Sequence, residues 1–351
     1  MNIAKIDKNL AVQTSINKSD IVFIDSKEAP IKTYGVYFDG ARFRRVPEDV
    51  AAATSPGVKD LSVCTAGGRV RFVTTSSYVA LKCRFTEVRQ MPHMAFVGIH
   101  GFDLYADDGS GERYINSFKP PIGIKDGFES VIELGSAKPR LITINFPLYN
   151  GLDSLLIGLS ADSELNPPPE YDLPLPVVYY GSSITQGGCA SRPGMSYQAI
   201  LSRRLNIDHV NLGFSGNARG EKAIVDYMAG LEMSAFVSDY DHNAPTVEHL
   251  KATHRPLYEA IRAAHPDIPI LFLSKPAYYS DDRTHNVIKE TYNYALANGD
   301  KNVYFIDGLS FNVGAHQYEM SLDSVHPNDA GFIRMADSIG TVIRHALEKK
   351  N

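Results

Sequence analysis

The sequence predicts two regions of different fold class: an N-terminal all-β sandwich of jelly-roll-like type, and a C-terminal α/β domain built on a parallel sheet. Three observations lead to this prediction. Apolar and polar residues alternate in short runs through the first half of the chain, and strand-like and helix-like segments alternate through the second half. A proline-rich segment separates the two halves.

The alternation in the first half is clearest in two runs. One run alternates apolar residues with polar or small ones at Val79, Leu81, Cys83 and Phe85. The run from Ile142 to Leu148 alternates in the same way. A period of two places one set of side chains on one face of a strand, which suits a sheet with a buried face. Frequent turn signals and the lack of a long amphipathic helix favour a sandwich of short strands.

The segment over residues 166–176 contains five prolines. Proline fixes φ and cannot donate a backbone hydrogen bond, so it blocks both helices and central strands and stiffens an extended path. We therefore predict a β-sandwich accessory domain over residues 1–165, a linker over residues 166–176 and a second domain over residues 177–351.

The second domain reads as strands alternating with helices. Predicted strands begin at Val177, Val210, Ala235, Ile268 and Val303, and predicted helices cover 196–205, 222–231, 247–264, 284–297 and 329–349. This alternation is typical of a parallel sheet covered by helices on both faces. Active sites of such sheets collect at the carboxyl ends of the strands.

Composition narrows the function classes. The 351 residues carry a formal net charge of -5 with no long run of like charges, which argues against a nucleic-acid or membrane-surface partner. Three widely spaced cysteines favour neither a disulfide framework nor a zinc site. No segment resembles a signal peptide or a membrane helix, so we expect a cytoplasmic protein that needs no cofactor and can form oligomers.

Three candidate residues follow the first three predicted strands of the second domain. Ser183 lies in a tight turn where its hydroxyl and its backbone N–H can both face a crevice. Gly216 can present an N–H with no side chain in the way, and Asn243 can offer a neutral amide. Each also has a structural explanation, as a turn residue or, for Asn243, an Asx turn.

The fourth candidate pair precedes the last predicted helix. Asp323 lies three residues before His326, close enough for its carboxylate to reach the far nitrogen of the imidazole. A serine hydroxyl needs such a base, and the base needs a carboxylate that fixes its tautomer. Taken alone, the pair is equally well explained by a helix cap and an ordinary surface histidine. The order of all four candidates predicts a catalytic triad of Ser183, His326 and Asp323, with Ser183, Gly216 and Asn243 forming an oxyanion hole.

With these residues in place, residues 177–351 resemble the SGNH, or GDSL-like, hydrolases. The four blocks of that family match Ser183, Gly216, Asn243 and His326, and the resemblance implies an α/β/α fold and acyl-ester chemistry. One departure is Ser182, which stands where the family has aspartate, and it bears on the geometry of the turn. Residues 101–105 (Gly-Phe-Asp-Leu-Tyr) resemble the G-x-D-L-Y signature of a β-domain that precedes some SGNH domains.

The resemblance implies a serine esterase that acts on short acyl esters, acetyl esters above all, of a carbohydrate or another small alcohol. Two alternatives stay open: an acyltransferase that uses the same triad, and a carbohydrate-binding protein on an inactive hydrolase fold. His242 and Tyr197 are possible substrate contacts. For Asp103 and Tyr105 we expect a structural role inside the β-domain. A metal site at Asp239, Asp241 and His242 is disfavoured because no second cluster of ligands follows.

Overall fold

The computed structural model of the chain describes residues 15–276, 282–314 and 316–348. A β-rich region comes first. Its strands are β1 (Ile21–Asp25), β2 (Lys32–Tyr34), β3 (Tyr37–Phe38), β4 (Phe43–Arg44), β5 (Arg69–Thr74), β6 (Tyr78–Arg84), β7 (Phe102–Asp107), β8 (Arg113–Phe118), β9 (Gly127–Glu133), β10 (Arg140–Asn145), β11 (Ser154–Ser160) and β12 (Leu165–Asn166). Short helices lie between them: α1 (Glu48–Thr54), α2 (Pro56–Leu61) and α3 (Phe96–His100).

Most of these strands form two antiparallel sheets that pack face to face. One sheet has the order β1-β11-β6-β9, and the other has the order β12-β5-β10-β7-β8 with β2 also paired to β5. Side chains from both sheets, among them Phe72, Leu81, Ile144 and Ile157, form one buried apolar cluster. The predicted β-sandwich is confirmed, and its two clearest alternating runs are β6 and β10.

The C-terminal domain is an α/β structure. Its strands are β13 (Val177–Gly181), β14 (His209–Gly213), β15 (Ala235–Asp239), β16 (Ile270–Leu273) and β17 (Val303–Ile306). Its helices are α4 (Ser183–Gln186), α5 (Tyr197–Leu205), α6 (Lys222–Ala229), α7 (Val247–Ala264), α8 (Asp282–Ala297) and α9 (Asp329–Glu348). The strands are parallel in the order β14-β13-β15-β16-β17, so the predicted fold class is confirmed. Helix α4 falls in a segment for which we expected only a loop.

The parallel sheet is buried on both faces, which explains the continuous apolar run of β13. Val178 and Tyr180 pack with side chains of α6, α7 and α8, whereas Val177 and Tyr179 pack with side chains of α5 and α9. A strand covered on both faces has no polar side, so its sequence does not alternate.

The β-rich region contributes to both of these buried clusters. Val46 and Val58, at α1 and α2, belong to the cluster on the α6–α8 face, and Leu148 and Tyr149 belong to the cluster on the α5–α9 face. The predicted domain boundary at residues 166–176 stays a prediction. Side chains from both sides of that segment nevertheless share the same cores.

No helix in the described part of the chain is long and apolar enough to cross a membrane. Cys64, Cys83 and Cys189 are free thiols, the first two buried and the third partly buried. Burial raises the pKa of the Cys83 thiol to about 12. Desolvation, helped by the nearby Asp323 carboxylate, raises the pKa of Cys189 to the same level. Neither thiol is therefore activated as a nucleophile.

His254 of α7 is a buried group that ties stability to pH. Only 1% of its surface is exposed, its ring lies between Tyr240 and Phe272, and its Nδ1 is hydrogen-bonded to Thr291 Oγ1 at 2.9 Å. Burial lowers the pKa of His254 from 6.5 to about 3. The folded protein therefore holds this ring neutral at pH values where the unfolded chain binds a proton.

We expect the free energy of unfolding to have its full value above about pH 6.5 and to decline as the pH falls toward 3, since the unfolded state then binds more protons than the folded state does. Between pH 7.5 and pH 5.0 the protonation of His254 in the unfolded chain should lower the free energy of unfolding by about 2 kcal/mol, because each pH unit below the unfolded pKa contributes about 1.4 kcal/mol. Urea unfolding at both pH values measures the loss, which His254→Gln should reduce. His345→Gln is the control because His345 is exposed on α9. An unchanged pH dependence in His254→Gln would contradict the assignment.

Candidate active site

Ser183 lies where β13 ends and α4 begins. Ser182 is the N-cap of α4, and its hydroxyl accepts a hydrogen bond from the Ile184 N–H at 3.2 Å. Serine and aspartate both serve as N-caps through a side-chain oxygen, so Ser182 performs locally what an aspartate would do there. Ser183 is the first residue of the helix and is 8% exposed.

The backbone at Ser183 is held by three hydrogen bonds to its carbonyl oxygen. Gly187 N–H and Gly188 N–H donate at 3.0 and 2.8 Å, and the Tyr149 hydroxyl donates at 3.2 Å. Gly187 ends α4 with φ of 100°, a left-handed conformation that favours glycine. Tyr149 comes from the β-rich region, so that region fixes the turn that carries Ser183.

His326 joins Ser183 to Asp323 through a chain of hydrogen bonds. Ser183 Oγ lies 2.9 Å from His326 Nε2, and His326 Nδ1 lies 2.7 Å from Asp323 Oδ2. Asp323 Oδ1 also accepts the backbone N–H groups of Val325 and His326 at 3.0 and 2.7 Å. Partial burial of Asp323 opposes its ionisation, but these donors outweigh burial and lower the pKa of the carboxyl group. The arrangement matches the spacing of a nucleophile, a base and an orienting carboxylate.

Gly216 and Asn243 reach the same edge of the sheet because the strands are in register. Gly181 pairs with Gly213 of β14 and with Asp239 of β15, so the loops that follow all three strands lie side by side. Gly216 has φ of 69°, and a Cβ at this position would meet nothing within 4 Å. Its backbone therefore faces open space.

The Asn243 side chain is fixed by the loop that carries Gly216. Its Nδ2 donates to the Phe214 carbonyl at 2.9 Å, which leaves the second hydrogen of the same amide for another acceptor. Two hydrogen bonds fix the loop itself. Phe214 N–H donates to the Gly181 carbonyl at 2.8 Å, and Ser215 N–H donates to Gln186 Oε1 at 3.0 Å. Gln186 Nε2 donates in turn to the Leu148 carbonyl at 3.2 Å, which again connects the site to the β-rich region.

Arg45 contacts the carboxyl end of β14 and was not among the residues predicted from the sequence. Its guanidinium is 2% exposed and donates to four carbonyl oxygens, those of Leu61, Cys64, Asn211 and Gly213, at 2.7, 2.7, 3.1 and 2.6 Å. Within the described ranges it forms no salt bridge. Burial lowers the pKa of Arg45 to about 10, so it remains charged at neutral pH.

Comparison with known proteins assigns this arrangement to a family. The model of the GDSL-like lipase/acylhydrolase family matches residues 175–344, and a model of the N-terminus of SGNH-hydro-type esterases matches residues 21–165. Residues 175–344 of the chain belong to the GDSL-like lipase/acylhydrolase family. The chain is therefore an ester hydrolase. No curated protein sequence matches the chain.

Solved structures share the complete architecture of this GDSL-like hydrolase. A protein of Bacteroides ovatus described as a GDSL-like lipase is 28% identical, with 93% of this chain and 98% of that chain covered and a TM-score of 0.83. A salicylyl-acyltransferase from a tetracycline biosynthetic pathway is 18% identical over 92% and 96% of the two chains, with a TM-score of 0.74. An acetyl xylan esterase from the rumen bacterium Butyrivibrio proteoclasticus is 14% identical over 94% and 99% of the two chains, with a TM-score of 0.59. At these identities the last two show a common fold.

The G-x-D-L-Y residues of the hydrolase have a second role besides the expected one inside the β-domain, where Asp103 Oδ1 accepts Asn145 Nδ2 at 2.9 Å. Asp103 Oδ2 accepts Arg192 Nη1 and the Gly194 N–H, each at 2.8 Å, and the Tyr105 hydroxyl also contacts Arg192. Arg192 and Gly194 belong to the C-terminal domain, so the motif acts between the two regions and not only inside the β-sandwich. The motif spacing alone could not show this, because its partner lies 89 residues further along the chain.

Tyr197 is a correction to the predicted substrate contacts. It is 0% exposed, its hydroxyl lies 3.2 Å from Thr185 Oγ1, and its ring packs against Tyr179. As the first residue of α5 it points toward the sheet, where no ligand reaches it.

His242, the other possible substrate contact, lies near the triad and is largely buried. Its Nε2 is shielded from solvent and has no hydrogen-bond partner among the described residues. Burial, together with the charges of Lys275 and His326, lowers the pKa of His242 to about 4. A contact between His242 and substrate stays a prediction. In the described part of the chain no three His, Cys, Asp or Glu side chains group as a metal site.

We expect Arg45→Lys to lower the free energy of unfolding by about 2 to 4 kcal/mol. A single ammonium on a flexible stem cannot reach four carbonyl oxygens at once, and each buried carbonyl that loses its donor carries a desolvation cost. Urea denaturation measures the change. Arg42→Lys is the matched control, because Arg42 is partly exposed and lies 3.9 Å from Asp153. Equal losses in the two variants would contradict the bridging role of Arg45.

Proposed function

We propose that this hydrolase cleaves short-chain acyl esters, acetyl esters above all, of a carbohydrate or another small alcohol through an acyl-enzyme on Ser183. The observation that supports this proposal is the hydrogen-bonded chain from Ser183 Oγ through His326 to Asp323, with distances of 2.9 and 2.7 Å. These are the lengths of good hydrogen bonds, and the serine is already within proton-transfer reach of its base.

In the proposed reaction, His326 Nε2 accepts the proton of the Ser183 hydroxyl while Oγ attacks the ester carbonyl carbon. The bond between that carbon and the alcohol oxygen then breaks, and Nε2 gives its proton to the leaving alcohol. A water molecule next gives a proton to Nε2 and attacks the acyl carbon. The bond to Oγ breaks, the acid leaves, and the proton returns to Ser183.

The oxyanion of each tetrahedral intermediate is proposed to rest on three donors. Ser183 is the first residue of α4, so its N–H has no acceptor within the helix. The open backbone of Gly216 and the fixed amide of Asn243 supply the other two. Neutral donors held in place before the reaction stabilise developing charge without reorganising.

The acyl and alcohol preferences rest on analogy of fold. The acetyl xylan esterase named above shares the two-part architecture, and this supports a small acyl group on a carbohydrate. The salicylyl-acyltransferase shares it as well, which keeps acyl transfer as a second candidate. The two candidates differ only in whether water or another hydroxyl takes the acyl group. A cytoplasmic location stays a prediction from the sequence.

Ser183→Ala should abolish turnover of p-nitrophenyl acetate, because no other group described at the site is a competent nucleophile. Wild-type turnover should fall as the acyl chain lengthens through butyrate and octanoate. The measurement is release of p-nitrophenol across that series, with Ser191→Ala as a control at a serine that contacts Asp329 instead of His326. Residual activity of Ser183→Ala near the wild-type rate would remove Ser183 from the mechanism.

The same assay separates hydrolysis from transfer when glucose is added as an acceptor. Acetate as the main product indicates a hydrolase. An acetylated sugar as the main product, at an unchanged rate of p-nitrophenol release, indicates an acyltransferase.

Asn243→Ala should lower kcat about 10² to 10³-fold and leave the protein folded, which is the usual loss for one oxyanion donor. KM should change little, because the amide acts on charge that develops only in the transition state. Steady-state kinetics with p-nitrophenyl acetate test this, and urea unfolding serves as the check on folding. A near-normal kcat in a folded variant would exclude Asn243 from the oxyanion hole.

A further inference from the structure

A loop of the β-rich region lies against the turn that carries Ser183. The loop connects β6 to α3, and Met91 and Met94 of this loop pack against the buried cluster on the α5–α9 face. Met94 Cε lies 3.3 Å from the point where a Cβ at Gly188 would stand, and Cys189 Sγ is 3.5 Å from the His93 carbonyl oxygen. The loop is therefore anchored on both sides of His93.

His93 presents its ring to the triad. The centroid of the His93 ring lies 6.0 Å from that of His326, with the ring planes tilted by 43°. The side chain is exposed, and no described residue forms a hydrogen bond with its ring nitrogens. An exposed imidazole with both nitrogens unused, held by apolar anchors beside a reactive histidine, is well placed to bind a ligand.

The position of His93 indicates which half of the substrate its ring faces. In the proposed mechanism His326 Nε2 gives its proton to the alcohol oxygen, so the alcohol lies within about 3 Å of Nε2 as the ester bond breaks. Two of the three proposed oxyanion donors, Gly216 and Asn243, come from the loops after β14 and β15, whereas the neighbours of His93 are the turn after α4 and His326, the group that protonates the alcohol. The alcohol half, and not the acyl oxygen, is therefore the part of the substrate that His93 faces.

We propose that His93 is a specificity-determining residue that binds the alcohol half of the substrate and selects alcohols rich in hydroxyl groups. This inference rests on the proposed esterase function. An imidazole can donate to one sugar hydroxyl and accept from another, whereas an aryl alcohol without further hydroxyls offers it no such partner. The β-rich region thereby contributes to substrate choice.

The test compares two acetates that give the same acetyl-enzyme, a monoacetylated glucose and phenyl acetate. His93→Ala should lower kcat/KM for the glucose ester about tenfold, the equivalent of one hydrogen bond, and leave phenyl acetate within about twofold. His93→Gln, which keeps a donor and an acceptor, should restore most of the loss. Gln90→Ala is the matched control, because Gln90 is exposed on the same loop.

The outcome depends on the ratio of the two kcat/KM values. A lower ratio of glucose ester to phenyl acetate in His93→Ala, restored by His93→Gln, supports the proposal. An unchanged ratio overturns it, whether both rates fall together or neither does, and so does a wild-type enzyme that cleaves only phenyl acetate. A folded wild-type enzyme inactive on both esters would instead overturn the proposed esterase function, and the role of His93 with it.

Discussion

The buried guanidinium of Arg45 is the interaction on which the rest of the structure depends. A charge removed from water is costly unless its donors find acceptors, and the four hydrogen bonds of the Arg45 guanidinium form only where Leu61, Cys64, Asn211 and Gly213 bring their carbonyls together. Two of these acceptors belong to the β-rich region and two to β14 of the parallel sheet. The two regions must therefore pack in one arrangement, and the guanidinium also lies over the Phe214 ring, 4.7 Å from its centroid.

Phe214 connects Arg45 to the site, because it contacts the guanidinium on one side and is hydrogen-bonded to site residues on the other. Its N–H is bonded to Gly181 at the end of β13, and its carbonyl holds the Asn243 amide. Tyr149 and Leu148 provide a parallel support, because one bonds the Ser183 carbonyl and the other bonds Gln186. The geometry of Ser183, Gly216 and Asn243 thus depends on residues that make no contact with the reacting atoms, and part of that support comes from the β-rich region.

The three triad residues lie in two different local settings. Ser183 lies on a short helix whose backbone is bonded on several sides, whereas Asp323 and His326 lie in a loop at the surface. The loop keeps its shape through local bonds, since Asp323 Oδ1 accepts two N–H groups of its own loop and Leu322 N–H donates to the His326 carbonyl at 3.0 Å. These local bonds orientate His326, whose side chain is 19% exposed, so substrate can approach it from solvent.

The sequence by itself determined the features that depend on neighbours along the chain. Apart from the short helix α4, the apolar periodicity located the strands and helices of the α/β domain to within two residues at their ends, and the three-residue spacing placed Asp323 beside His326. The order of strand ends predicted that Ser183, Gly216 and Asn243 would meet, because parallel strands in register carry their loops to one edge.

Only the tertiary structure decided the contacts between residues far apart in the chain. The contact of Arg45 with β14, the pairing of Asp103 with Arg192 and the place of His93 beside His326 all depend on how the β-rich region packs against the α/β domain. The burial of Tyr197 depends on how α5 packs on the parallel sheet. No local pattern encodes such packing. Arg45 and Asp103 are ordinary polar residues in the sequence, and they acquire their roles because burial removes water and leaves protein groups as their hydrogen-bond partners.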